Sequence, residues 1–393
     1  MNGKAHAALE ARLADFFHGD TALLFNSGFD ANVGFFSCVP QPGDIIVYDE
    51  YIHASVHDGI RSSRTAKDAR FSFTHNSMLE LRRLLFRLRI ERAGLRTGEN
   101  SLFLSVESLY SMDGTFAPLR EIADLLDEVF PLKNGYLVVD EAHATGIYGP
   151  QGRGCVALLG MENRVLARLH TFGKALAATG GACVFTVTLS IQFLIGHSAV
   201  IITTTLIRDY LLNYARSLIY TTSLSYANII AADCSFDILT DGTAQRVSSP
   251  PRPLKHDTNL HTFKLSDHLL SLSSYFTETL RPLLESREIP PTLVSLPSHL
   301  RAPSTSGPPS PIIPVLTPHP RPLSAFLLAL GMNARPITWP TVPKGKDRVR
   351  VCLHAGNTKN DIDCLINGIA DWAEDTLKAR KVEMWPRNLE SKL

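Results

Sequence analysis

The chain has 393 residues, enough to bury a substantial core in one large domain plus a smaller one. Its 39 basic and 38 acidic residues leave a formal charge of +1, which excludes an electrostatic drive toward nucleic acid or an anionic membrane. Six scattered cysteines show neither metal-ligand spacing nor an extracellular disulfide framework, so a reducing intracellular setting is expected.

In chain order, Ala8, Leu9, Leu13, Phe16 and Phe17 recur at helical spacing, and Gly19 stops that helix. Residues 21–25 read as a strand, and Asn26-Ser27-Gly28-Phe29-Asp30 as the turn into a helix whose start suits a phosphate. An ordinary helix cap reads equally well there. Residues 44–48 form a short strand, and Asp49 to Ser55 lead through His53 into a polar helix, where a lone histidine is usually structural or exposed. Residues 71–73 are a strand. Residues 78–92 form a basic amphipathic helix with Arg82, Arg83, Arg87, Arg89 and Arg92 on a solvated face. Residues 101–106 form another strand, the Asp113-Gly114 pair marks a turn, and Pro118 opens a helix to about 130. Alternation of strands and helices through this half predicts a parallel sheet with crossover helices.

The apolar run 136–139 ends abruptly in Asp140, the pattern of a buried parallel strand whose carboxylate emerges at the edge where open α/β sheets place ligands. A second strand, 165–171, delivers Lys174 to the same crevice. An acid beside an amine is the pair that pyridoxal phosphate requires: the lysine holds it as a Schiff base, and the carboxylate keeps the ring nitrogen protonated. Taken in isolation, Asp140 reads as a cap and Lys174 as a surface amine. Gly149, Gly152 and Gly154 do not follow a strand in dinucleotide-fingerprint order, so no nicotinamide site is read from them.

Asp140-Glu141-Ala142-His143-Ala144-Thr145-Gly146, then Gly149-Pro150-Gln151-Gly152-Arg153-Gly154, then Thr171-Phe172-Gly173-Lys174 closely resemble the α-oxoamine synthase family of fold-type I pyridoxal-phosphate enzymes. The resemblance covers nearly the whole chain. It implies an α/β fold: a large domain, 1–241, with a mostly parallel sheet flanked by helices, and a smaller C-terminal α+β domain, 242–386, followed by a tail, 387–393. It further implies that Lys174, Asp140, His53 and His143 are catalytic, with His53 stacked on the pyridine ring and His143 beside the cofactor's phenolic oxygen. In the family, the positions of Gly28, Phe29 and Thr171 hold the cofactor phosphate and that of Ser111 contacts the cofactor. The segment with Thr221 and Thr222 reaches the phosphate of the neighbouring subunit in a homodimer, although two hydroxyls in a loop also serve to cap a helix. Thr341 and His53 would contact substrate, and Arg350 would grip the amino acid's carboxylate with its guanidinium fork. On strand alternation alone, Arg348 and Arg350 face one way and both read as solvent-facing.

The activity so implied is the condensation of an amino acid with an acyl-CoA, releasing CoA and carbon dioxide. Relatives with other acyl and amino-acid pockets share these cofactor residues, and a truncated non-catalytic relative is the further alternative. Family members usually carry several tens of residues, including a Gly-rich stretch and an arginine near the substrate, before the position where this sequence starts.

The run 182–207 holds no Asp, Glu, Lys or Arg and is long enough to cross a bilayer, but a span there would split one active-site domain. Because relatives have only a short strand and turn at this point, about 184–201 is expected to be inserted, as translated intron sequence or, alternatively, an apolar extra hairpin. Residues 241–257 and the Pro- and Ser-rich 297–311 read as irregular passages, with strands at 314–316 and 348–353 and helices at 260–284, 322–330 and 361–377. The final Ser391-Lys392-Leu393 is the address read by the peroxisomal import receptor. That ending suits an acyl-CoA made by peroxisomal β-oxidation; pimeloyl-CoA, with L-alanine as its partner on the way to biotin, fits.

Overall fold

The computed structural model describes residues 3–177, 198–241, 243, 265–300 and 308–383, with side chains through 379. The chain divides into two units, one of residues 1–110 and 116–244, the other of residues 111–115 and 245–393. The first is built on seven strands: β1 (Thr21–Phe25), β2 (Ile45–Asp49), β3 (Arg70–Phe73), β4 (Leu102–Glu107), β5 (Gly135–Asp140), β6 (Ala167–Thr171) and β7 (Ala199–Thr203). Their order is β1-β7-β6-β5-β4-β2-β3. From β6 through β3 every pairing is parallel, while β7 runs antiparallel to both β6 and β1.

Strands so continuously apolar imply a sheet covered on both faces, and alternate residues divide accordingly. Leu23, Phe25 and Ile201 join one core cluster with Phe35, Phe103, Val138 and Leu169. Ala22, Leu24, Val200 and Ile202 join a second with Leu13, Phe17, Phe172 and Phe236. Helices α1 (Lys4–Phe16) and α2 (Gly28–Cys38) supply Leu13 and Phe35 to these clusters, and α3 (Ala54–Arg61) supplies Val56 to the first.

β7 overlaps the end of the expected insert. Ala199, Val200 and Ile201 are fully or almost fully buried and hydrogen-bonded into the ladder between β1 and β6, so the end of the interval 184–201 belongs to the sheet itself. Residues 184–197 lie outside the described residues, as does the Ser391-Lys392-Leu393 ending. Among the described residues no helix is long and apolar enough to cross a membrane.

The second unit carries an antiparallel sheet ordered β8 (Ile312–Leu316), β10 (Arg348–Cys352), β9 (Arg335–Ile337), with helices Leu265–Ser286, Pro320–Ala329 and Lys359–Glu383. Its members include Ser111–Thr115, which the sequence placed in the large domain. The reason is local: Arg348 Nη1 sits 2.5 Å from Asp113 Oδ1 and 3.1 Å from the Met112 carbonyl. Gly114, with φ of +66°, presses its Cα against the Ile312 carbonyl so closely that a side chain there would overlap it. The expectation of a solvent-facing Arg348 is corrected by the same contact, since its side chain is 2% exposed.

Candidate active site

β5 ends as its pattern predicts, with Asp140 buried at its tip. The carboxylate accepts the Ala142 N–H on Oδ1 and the Asn32 amide on Oδ2, each at 2.9 Å. The neighbouring Glu141 turns the other way and is fully buried, accepting from Ser108 Oγ at 2.7 Å and from the Cys155 and Val156 N–H groups at 2.9 and 2.6 Å. Burial pushes the Glu141 carboxyl above its ordinary value against the opposing pull of those donors. Gly154 holds a φ of +100° beneath it, where a Cβ would lie 2.6 Å from Glu141 Oε2. Asp140 and Glu141 are thus adjacent in sequence but divided in partners: the first bonds to Asn32 and the Ala142 N–H, and the second braces the turn that carries Cys155 and Val156.

α2 starts next to the end of β6. Ser27 caps it, accepting the Asp30 N–H at 3.0 Å, and the acidic Asp30 in the first turn suits the helix dipole. A Cβ on Gly28 would meet Thr171 Cγ2 at 2.7 Å, so the first turn of α2 lies directly over the tip of β6. Thr171 is buried and donates to the Ala142 carbonyl at 3.3 Å; Phe29 is exposed. Lys174 follows β6 and is exposed, and His143 is half-buried in the turn after Asp140.

His53 caps α3, its Nδ1 2.7 Å from Ser55 Oγ and accepting the Ser55 N–H at 3.2 Å. The ring keeps contact with solvent, yet desolvation by the surrounding protein pushes its pKa down; Asp140 pulls it upward and Lys174 adds a further downward push. Both charges therefore act on the same imidazole. Asn32, buried on α2, joins Asp140 to Ser55, its Nδ2 standing 2.9 Å from the carboxylate and 3.0 Å from the hydroxyl. Asn32 and Ser55 escaped the sequence reading. The available signal was their polarity on faces that otherwise bury, since Ala31, Phe35 and Val56 flank them in the core.

Thr221 and Thr222 are exposed and meet Asn26 of their own chain, whose Nδ2 donates to Thr221 Oγ1 at 2.9 Å and to the Thr222 carbonyl at 2.5 Å. With His6, Asn26 and Arg208 they line a cavity of about 430 Å³ that Asp140, His53 and Lys174 do not line. Ser111, Thr341 and Arg350 belong to the second unit. There Ser111 is buried, Thr341 exposed, and Arg350 half-buried on β10 with its Nε enclosed and lacking a hydrogen-bond partner among the described residues.

The Aminotransferase class I and II family matches residues 1–248. An 8-amino-7-oxononanoate synthase of Emericella nidulans is 39% identical over 368 residues, spanning 93% of this chain and 77% of that protein. The aminoacyl transferase sphA of Aspergillus fumigatus is 34% identical over 373 residues, 94% of this chain and 71% of the other. In fold, a serine palmitoyltransferase from S. paucimobilis, solved with PLP bound to myriocin, superposes with a TM-score of 0.72 at 21% identity, covering 96% of this chain and 78% of its own.

The residues present fit pyridoxal phosphate. Asp140 is a buried, doubly hydrogen-bonded carboxylate, Lys174 is an amine close enough to share its influence on His53, and the N-terminal turn of α2 leaves at Gly28 no room for a side chain.

Proposed function

The chain belongs to the pyridoxal-phosphate-dependent class I and II aminotransferase family, in its α-oxoamine synthase branch, and on that premise we propose that it joins L-alanine to pimeloyl-CoA. The products are 8-amino-7-oxononanoate, CoA and carbon dioxide, a step of biotin biosynthesis. The observation that carries this reading is that the charges of Asp140 and Lys174 both act on the His53 imidazole, in a chain 39% identical to an 8-amino-7-oxononanoate synthase.

When bound, pyridoxal phosphate supplies an electron sink for the pair left behind when a bond to the amino acid's Cα breaks. Asp140, its carboxylate oriented by Asn32 and the Ala142 N–H, would pair with the ring nitrogen and keep it protonated. Lys174 would hold the cofactor and, as a free amine, would take the proton from the amino acid's Cα. A neutral His53 lays its ring on the cofactor face. Gly28, Phe29 and Thr171, with Thr221 and Thr222 of a second subunit, would bind the phosphate; Ser111 would contact the cofactor and His143 would lie beside its phenolic oxygen. Arg350 would pair with the substrate carboxylate through its guanidinium fork, and Thr341 would touch the same substrate. Residues 1–241 act as the cofactor domain and 242–386 as the smaller one, and the enzyme works as a homodimer imported into peroxisomes through Ser391-Lys392-Leu393.

A second reading, favoured by the 34% identity to aminoacyl transferase sphA, replaces alanine and pimeloyl-CoA with another amino acid and a longer acyl-CoA. Steady-state CoA release, measured for the purified full chain across amino acids and acyl-CoA lengths, separates the two. Alanine with pimeloyl-CoA should give the highest kcat/KM; a preference for another pair would replace the proposal, and no release with any pair would leave a non-catalytic relative.

A further inference from the structure

The hydrogen bonds behind Asp140 have a fixed direction. The Asp140 carboxylate accepts from Asn32 Nδ2 at 2.9 Å, and this sets the orientation of the amide, since the reverse would place its oxygen against a carboxylate oxygen. The same Nδ2 donates its second hydrogen to Ser55 Oγ at 3.0 Å. Ser55 Oγ, already accepting, directs its own proton to His53 Nδ1 at 2.7 Å, and the Ser55 N–H points at the same nitrogen from 3.2 Å. Two donors aimed at Nδ1 leave it the acceptor role, which puts the proton of the neutral ring on Nε2. Asn32 and Ser55 are buried, at 4% and 0% exposure, so water does not compete for these bonds.

We propose that Asn32 and Ser55 are positioning residues: they tie the Asp140 carboxylate to the His53 ring, fix His53 as the Nε2–H tautomer, and hold acid and ring as one unit against the cofactor. The inference rests on the reading that His53 faces the pyridine ring. It adds that neither group is placed independently. α2 carries the amide and α3 the hydroxyl and the imidazole, so the angle between carboxylate and ring is set by the packing of two helices and two side-chain bonds.

The test uses the full chain labelled with 15N-histidine and free of cofactor, with the His53 signals identified by their loss in His53→Gln. Long-range 1H–15N correlation should show the Nε2–H tautomer in the wild type and a tautomer mixture in Ser55→Ala. Fluorescence titration with pyridoxal phosphate should show about five-fold weaker binding by Ser55→Ala, the loss of one neutral hydrogen bond. Ser55→Thr, which keeps the hydroxyl, should restore both. A merely structural role would lower the melting temperature and leave the tautomer alone. A proton on Nδ1 in the wild type, or an unchanged tautomer in Ser55→Ala, would overturn the proposal; where Ser55→Ala does not fold, the wild-type spectrum and Ser55→Cys decide it. A tautomer that shifts while affinity holds would overturn the relay's service to the cofactor together with the place given to His53. Failure of the wider reading has a different mark, a wild type that binds no pyridoxal phosphate.

Discussion

Arg348 and Asp113 form an ion pair of 2.5 Å in which the guanidinium is 2% exposed and the carboxylate 17%. The arginine also donates from Nε to the Lys346 carbonyl at 2.9 Å, so it pins a loop of the second unit to β10 from two sides. Truncating one partner leaves the other charge enclosed without its counter-ion. Arg348→Met should lower unfolding free energy by about 2–3 kcal/mol, a little under a fully buried pair because Asp113 keeps some solvent. Asp113→Asn, which keeps an acceptor, should cost about half as much. Denaturant titration of both variants checks this; equal stability of Arg348→Met and wild type would remove the pair from the account of the fold.

His170 predicts an acid sensitivity. It is fully buried on β6, stacked on Phe17 at 3.8 Å with Nδ1 2.9 Å from Thr145 Oγ1, while Nε2 has no partner among the described residues. Burial, followed by the nearby Arg168 charge, pushes its pKa well below the ordinary 6.5. The unfolded chain therefore binds a proton below pH 6.5 that the folded chain refuses, so stability is full above that pH and declines as pH falls through it. The slope from this one group is about 1.4 kcal/mol per pH unit. Urea titrations from pH 7 downward should show it, and His170→Gln should flatten it by that amount.

Much of this was legible in the sequence because it is local. Strands β4 and β5 announce themselves as apolar runs, and Asp140 stands where the second of them meets polar residues. What escaped depends on partners far away in the chain. The Asn32–Asp140 bond joins residues 108 positions apart, so the polarity of Asn32 on a burying face does not by itself name its partner. The strand β7 at the end of the uncharged stretch went unread because such a stretch does not reveal that its neighbours are β1 and β6. The short edge strand β9, which contains Pro336, carries no alternation to find it by. Arg348 defaulted to water until Asp113, 235 residues earlier, supplied its counter-charge.

Gly28 sets how closely α2 approaches β6. A Cβ there would stand 2.7 Å from Thr171 Cγ2, and a β-branched, buried threonine has little freedom to withdraw. Gly28→Ala must therefore shift the first turn of α2, where the phosphate is proposed to bind. Pyridoxal-phosphate affinity should fall about ten-fold or more, with a stability change of about 1–2 kcal/mol. The double variant Gly28→Ala/Thr171→Ser removes the opposing methyl and should recover most of the affinity; titration of both proteins without cofactor checks this.

Lys174 is the residue on which the chemistry depends most. Its nearness to His53 is felt as a downward push on the imidazole, and the exposed position just beyond β6 leaves the amine accessible. On the proposed function, Lys174→Ala would remove both the covalent hold on the cofactor and the base for the Cα proton, so turnover should fall by about a thousand-fold or more. Borohydride should link pyridoxal phosphate to the wild-type peptide containing Lys174 and to no peptide in the variant. The same substitution withdraws a positive charge that opposes protonation of His53, so the His53 pKa should rise in Lys174→Ala. An unchanged His53 titration together with near-normal turnover would place the working amine elsewhere in the chain.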